Sequence, residues 1–240
     1  MQVLEELAST RDCISLAELS TRLELPKTSL LHLLRALEAS GYVRRMSEGY
    51  KLAAASFRLA GAIGACGAFE DIASDVLQAL RDHTQETALL GSFTEDRRSA
   101  VYIDRRASPQ PVRFAPDVGE QRPLYATGVG KLLLAFSPLD FREAYLRQVK
   151  LVAHAPRTVR TKAALRENLE RIRAQGIAVS VDEMAEGGSA IAAPVLSADG
   201  SIRAALVLAV PTARFLVKRQ ALETQLCKSA EELSSIAAAT

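Results

Sequence analysis

Residues 15 to 52, SLAELSTRLELPKTSLLHLLRALEASGYVRRMSEGYKL, leave few folds open. Ser15 and Glu18 fit a capping box, in which each side chain meets a free amide of the first helical turn. Leu16, Leu19 and Leu23 repeat at helical spacing and define one buried face. Pro26 cannot continue that helix but suits the first turn of another. Leu30, Leu33, Leu34 and Leu37 then recur at i, i+3, i+4 and i+7, an apolar stripe. Gly41 stands where a left-handed C-cap is expected. Residues 42–46 and 50–52 flank Ser47-Glu48-Gly49 as the arms of a hairpin. Two short helices, a tight turn and a two-stranded wing form a unit that lays its second helix in a DNA major groove.

The residues of the second helix outside the leucine stripe are the candidate readers: Lys27, Thr28, Ser29, His32 and Arg35. Hydroxyls suit phosphates or base edges, and Arg35 suits phosphate or guanine. Arg44, Arg45 and Lys51 give the wing cationic contacts to the DNA backbone or minor groove. The alternative is a set of solvated charges on a protein-binding module. From residue 26 to 52 the cations Lys27, Arg35, Arg44, Arg45 and Lys51 face only Glu38 and Glu48. Upstream acids cancel that excess over the first 52 residues, so the positive field is local and one copy should bind weakly.

The 240 residues suffice for two modest domains, and 48% apolar content supports packed cores. Cys13, Cys66 and Cys227 show no C-x-x-C spacing, which fits buried thiols in a reducing cytoplasm. The opening residues are amphipathic helix rather than a signal peptide. No apolar run approaches the roughly 20 residues of a membrane span. The expected organisation is a winged helix-turn-helix over residues 1–52, a linker helix over 53–68 and a larger domain over 69–240. In the linker, Phe57, Leu59, Ala60 and Ile63 can line a face that Gly61, Gly64 and Gly67 interrupt. This helix and residues 1–12 are the expected dimer contacts. Beyond it, helical patterns span 69–83 and the stretch around Leu165, Leu169 and Ile172, and a long helix spans 212–238. Strand patterns fall at 87–93, 99–105, 177–181, 190–196 and 202–210. Strand pairs joined by hairpins and flanked by helices imply an α+β class with an antiparallel sheet.

Two stretches invite a chemical reading. Gly128-Val129-Gly130-Lys131 superficially suggests a phosphate loop, but Tyr125 and Leu132 stand where that motif needs Gly and Ser or Thr. The surviving content is a helix start whose small residues leave amides free for a carboxylate, at Thr127, Gly128 and Val129. A glycine-rich turn packed for its own sake is the plainer reading. Asp182, Glu183 and Glu186 offer paired carboxylates. The histidines His32, His83 and His154 are scattered and no metal-ligand spacing occurs, so these acids belong on a loop over a pocket or in water. No catalytic residue, metal or cofactor is expected.

GEQRPLYATGVGKLLLA resembles the G-x-x-x-P-L-x-A-T-x-x-G-K-x-x-L-A signature of the IclR family of bacterial transcription regulators. GIAVSVDEMAEGGSAIAAPVLSADGSIRAALVLAVPTAR is similar to the family's later signature, including the closing Pro-x-x-Arg. The resemblance implies a winged-helix domain, a linker helix, a GAF-like effector domain, and homodimers that pair into homotetramers. It further implies operator DNA and a small-molecule effector as partners, and repression more than activation of a catabolic pathway. The effector positions implied by alignment are Gly128, Val129, Ser180, Ala190, Val207 and Ala209. Ser180 replaces an acid, Ala190 a Cys or Ser, and Val207 and Ala209 replace polar residues. Such walls suit an organic acid with a sizeable apolar part, such as an aromatic acid. His32 stands where relatives usually carry Arg. The competing functions are a sensor whose winged helix contacts protein, separable by salt-dependent duplex binding, and a GAF-like enzyme, separable by turnover.

Overall fold

The computed structural model describes residues 2–10, 12–65 and 68–238, with the backbone alone for 61–65 and 68. Two compact units divide between Ala68 and Phe69. The amino-terminal unit contains α1 (Gln2–Ala8), α2 (Leu16–Leu23), α3 (Lys27–Ala39), β1 (Val43–Arg45), β2 (Tyr50–Leu52) and α4 (Ala54–Ala65). The capping box closes at both ends: Glu18 N donates to Ser15 Oγ at 3.2 Å, and Ser15 N donates to Glu18 Oε2 at 3.2 Å. Glu24, at φ 54°, ends α2 in the left-handed region. Pro26 lies one step outside the expected first turn, as the N-cap of α3. Gly41, at φ 74°, lets the chain reverse. There Gly41 N donates to Glu38 O and Tyr42 N to Leu37 O, which satisfies the last carbonyls of α3.

Val3, Leu7, Ile14, Leu19, Leu30, Leu34, Val43 and Tyr50 fill the core of this unit. The leucine stripe of α3 is narrower than its spacing suggests. Leu30 and Leu34 are buried and Leu37 is half-buried, but Leu33 is 42% exposed. Three leucines cover the core; Leu33 falls beside Ser29 and Ala36 on the outer surface. β2 pairs with β1 on one side and bridges Ile14 on the other. A Cβ at Gly49 would drive into the backbone of Ile14, so only glycine fits there. In α4, Phe57 is 68% and Leu59 43% exposed.

The second unit is built on a six-stranded antiparallel sheet. Its elements are α5 (Ala68–Thr84), β3 (Thr87–Phe93), β4 (Ser99–Arg106), β5 (Gln121–Pro123), α6 (Gly128–Phe136), α7 (Leu139–Gln148), α8 (Lys162–Gln175), β6 (Ala178–Val181), β7 (Gly188–Leu196), β8 (Ile202–Pro211) and α9 (Thr212–Ala237). The strand order is β5-β4-β3-β8-β7-β6. α5 and α9 pack on one face around Leu77, Leu80, Leu206, Leu208 and Phe215. α6, α7 and α8 pack on the other around Leu89, Leu132, Leu146, Leu165 and Val207. Covered on both faces, central β8 reads as a continuous apolar run rather than an alternating one. No helix among the described residues is long and apolar enough to cross a membrane. The two described cysteines, Cys13 and Cys227, are half-buried rather than buried; Cys66 lies outside the described residues.

Candidate DNA interface and effector pocket

In the amino-terminal unit, Thr28, His32 and Arg35 stand at i, i+4 and i+7 on α3, and all three are exposed. Ser29, Leu33 and Ala36 form the adjoining exposed stripe, and exposed Lys27 opens the helix. On the wing Arg44 and Arg45 are exposed and Lys51 is half-buried. Arg22 is spent on Glu6 and Glu18. Among the described residues no ion pair engages Lys27, Arg35, Arg44, Arg45 or Lys51 in this unit, so their charges remain for an external anion. Leu33 is the surface residue that sequence reasoning assigned to the core.

In the second unit a cavity of about 80 Å³ opens on the sheet face that carries α6. Thr127, Gly128, Ser180, Ala190 and Ala209 line it. They come from the start of α6 and from β6, β7 and β8, which the antiparallel register sets side by side: Ser180 opposes Ala190, and Ala190 opposes Ala209. Two expected wall residues lie elsewhere. Val129 is 1% exposed and turns its side chain onto Gly91, and Val207 is wholly buried two residues before Ala209 in the same core. The lining also holds Tyr102, Phe114, Pro116, Arg122, Met184, Ala185, Gly188 and Ser189, which sequence reasoning missed. Most of these sit on the 107–120 and 182–187 loops or on β5, whose three residues give no periodic signal. Gly188 lets the Phe114 ring approach, since a Cβ there would meet that ring at 2.9 Å.

The start of α6 leaves donors unspent. The Thr127 hydroxyl donates to Pro123 O at 3.0 Å and accepts from Gly130 N at 3.1 Å. Among the described residues no acceptor meets the N–H of Gly128 or Val129. A Cβ on Gly128 would sit 3.6 Å from Ala190 Cβ and 3.7 Å from Ser180 Cβ, ordinary contact at the cavity wall. Gly130 is different: a Cβ there would strike the Leu124 backbone, so this glycine serves packing.

Lys131 does not approach a phosphate. Its wholly buried side chain reaches Glu183 Oε1 at 2.5 Å and Val179 O at 3.2 Å. Burial pulls the Lys131 ammonium below its ordinary range and pushes the Glu183 carboxyl up, while each partner's charge opposes the shift. The pair joins the two sequence motifs. Asp182, at φ 54°, accepts from Gly187 N at 2.9 Å and from the Thr212 hydroxyl at 2.7 Å. These acids therefore hold the loop that carries Met184 and Ala185 over the cavity; Glu186 faces water. His154 is bonded to the Tyr125 hydroxyl at 2.9 Å, and no cluster of metal-ligating residues occurs among the described residues.

Residues 69–235 match the family model described as Bacterial transcriptional regulator IclR C-terminal, and residues 1–47 match the IclR helix-turn-helix domain. The chain belongs to the IclR family. It is 33% identical over 220 residues to HTH-type transcriptional regulator KdgR of Escherichia coli K12, covering 90% of this chain and 82% of that protein. To HTH-type transcriptional regulator KipR of Bacillus subtilis it is 27% identical over 218 residues, covering 90% and 86%. The fold is similar to that of Agobacterium tumefaciens repressor BlcR, with a TM-score of 0.79 at 24% identity over 99% of this chain and 94% of that one. Like its IclR-family relatives, the chain is a DNA-binding transcriptional regulator, not an enzyme.

Proposed function

We propose that this regulator is a cytoplasmic repressor of a catabolic operon, released from its operator by a small organic acid. The observation that carries the effector class is the cavity. It is mainly apolar, yet Gly128, whose amide is uncapped, stands in its wall, and among the described residues no carboxylate lines it. Its enclosed space is smaller than the roughly 150 Å³ that holds benzene in a dry protein cavity, so an aromatic ring would stand partly in the mouth. The relative named as a repressor, BlcR, supports the sign of control. Binding would act by linkage: the acid favours one arrangement of the assembled chains, and that arrangement changes the spacing of the two reading helices. Exposed Phe57 and Leu59 on α4 support a homodimer through the linker helix, with pairing into homotetramers. The domains are then 1–52 for DNA, 53–68 for the linker and 69–240 for effector and assembly.

On DNA, Lys27, Thr28, Ser29, His32 and Arg35 enter the major groove, and Arg44, Arg45 and Lys51 hold the backbone. Leu33 joins them, placed to meet a thymine methyl. Selection of binding sites from randomised DNA tests the reading. The selected sequence should contain two half-sites related by a palindrome or repeat, as a dimer requires. His32→Ala should change the preference at one position per half-site, because a base-edge contact is worth about 1–3 kcal/mol of discrimination. Recovery of the same motif by both proteins would confine His32 to phosphate or packing, and recovery of no motif would overturn specific DNA reading. The wing has its own test: Arg44→Ala and Arg45→Ala should each flatten the slope of log K against log salt by about 0.9. Gel-shift titrations at several salt concentrations measure it, and unchanged slopes would remove the wing from the interface.

A further inference from the structure

We propose that Arg122 and Tyr102 receive the effector's carboxylate, and that Glu120 of this chain holds the same guanidinium until the effector displaces it. The inference rests on the reading of this cavity as the effector site. It names the charged group recognised there and the contact that recognition breaks.

Most polar groups of the lining are already committed. Thr127 bonds Pro123 and Gly130. Ser189 bonds Thr212 at 2.9 Å, and the Ser180 hydroxyl favours the charged form of Glu183. Tyr102 has no such commitment. It is only 5% exposed, lines the cavity, and its hydroxyl has no hydrogen-bond partner among the described residues. Burial pushes that hydroxyl up to about 12, so it stays protonated and can only gain by meeting an acceptor. A donor with no protein acceptor, on a side chain only 5% exposed that lines the cavity beside the uncapped amide of Gly128, suits an anion.

Arg122 supplies the full charge. It opposes Ala100 across β5 and β4, which sets it on the sheet face of Ala100 and Tyr102. It lines the cavity and is paired through one nitrogen: Arg122 Nη2 lies 2.7 Å from Glu120 Oε1. A guanidinium can grip a carboxylate with two parallel bonds, so an acid in the cavity is a stronger partner than this single contact. The exchange has a built-in consequence. Glu120 Oε2 accepts from Asp117 N at 3.1 Å, and Asp117 Oδ1 accepts from Arg105 at 2.7 Å. Arg105 also donates to Ala115 O and Pro116 O. Displacing Glu120 therefore pulls on the segment that carries Phe114 and Pro116 over the same cavity. Chemical class and response meet in one contact: a monocarboxylate with a short apolar body engages Arg122, and an uncharged analogue does not.

Calorimetric titration of the full chain with butyrate and benzoate, and with their uncharged amides, tests this. The acids should bind and the amides should not. Arg122→Gln should weaken the acids by at least about tenfold, as loss of a charge-assisted hydrogen bond does. Tyr102→Phe, which removes only the hydroxyl, should weaken them by about tenfold. Glu120→Gln keeps the acceptor for Asp117 N and frees Arg122, so it should tighten binding by up to about fivefold. Equal binding of acid and amide, both blocked by Gly128→Ala, would leave the cavity as the effector site and overturn the Arg122 assignment alone. Unchanged acid affinity in Arg122→Gln and Tyr102→Phe would also overturn it. Absence of binding by every acid and amide would remove the cavity as effector site, and the proposal with it.

Discussion

Lys131→Met should destabilise the second unit by about 3–5 kcal/mol, the cost of leaving one member of a buried ion pair uncompensated. Glu183 would keep a side chain only 13% exposed and lose the ammonium 2.5 Å away. At this chain length that is a fall in melting temperature of roughly 6–20 °C. The double change Lys131→Met with Glu183→Leu removes both charges and fills similar volume, so it should recover most of the loss. Melting curves of the two variants check this. A single variant as stable as the parent would show that the pair contributes nothing to the fold. The same substitution should weaken effector binding, because Glu183 holds the loop bearing Met184 and Ala185.

Arg214→Ala should be comparably severe. Arg214 Nε and Nη2 meet both oxygens of Glu86 at 2.7 and 2.8 Å, and the Glu86 side chain is 1% exposed. The guanidinium is more accessible than Lys131, at 27%, so water compensates part of the loss and about 2–4 kcal/mol is expected. Arg214→Lys should rescue only part of it, since an ammonium cannot make the two parallel bonds. Urea denaturation of the parent and the two variants measures the difference. Equal midpoints for the parent and Arg214→Lys would reduce the contact to simple charge. The closing Pro-x-x-Arg of the sequence thus ties the start of α9 to the residue before β3.

The parts of this molecule governed by local rules were legible in the sequence. Ser15 and Glu18 announced their capping box, Gly41 its helix end, Gly176 (φ 73°) the end of α8, and the apolar run of 202–210 a buried strand. Leu33 misled because spacing alone cannot tell a fourth leucine of the core from a leucine beside it. α7 went unseen because Leu146 is its only buried residue. β5 went unseen because three residues carry no period, and with it went Arg122. For the cavity, alignment placed Gly128, Ser180, Ala190 and Ala209 at the wall, since strand register carries them there. It also named Val129 and Val207, whose side chains turn into packing. Phe114, Pro116 and Tyr102 reach the cavity by way of a long loop and a hairpin, and Lys131 reaches Glu183 across 52 residues of chain. Such meetings depend on tertiary structure and leave no mark in local spacing.

Ligand-controlled repression is decided by the operator affinity of the full chain with and without acid, measured by fluorescence anisotropy on the selected DNA sequence. Binding should be tight and salt-sensitive, and should weaken by about 5- to 150-fold as a carboxylic acid saturates the cavity, the usual range of allosteric coupling. Gly128→Ala should bind the operator like the parent but no longer respond to acid. An operator affinity unmoved by any acid that calorimetry shows to be bound, or a response that survives in Gly128→Ala, would overturn ligand control through this cavity.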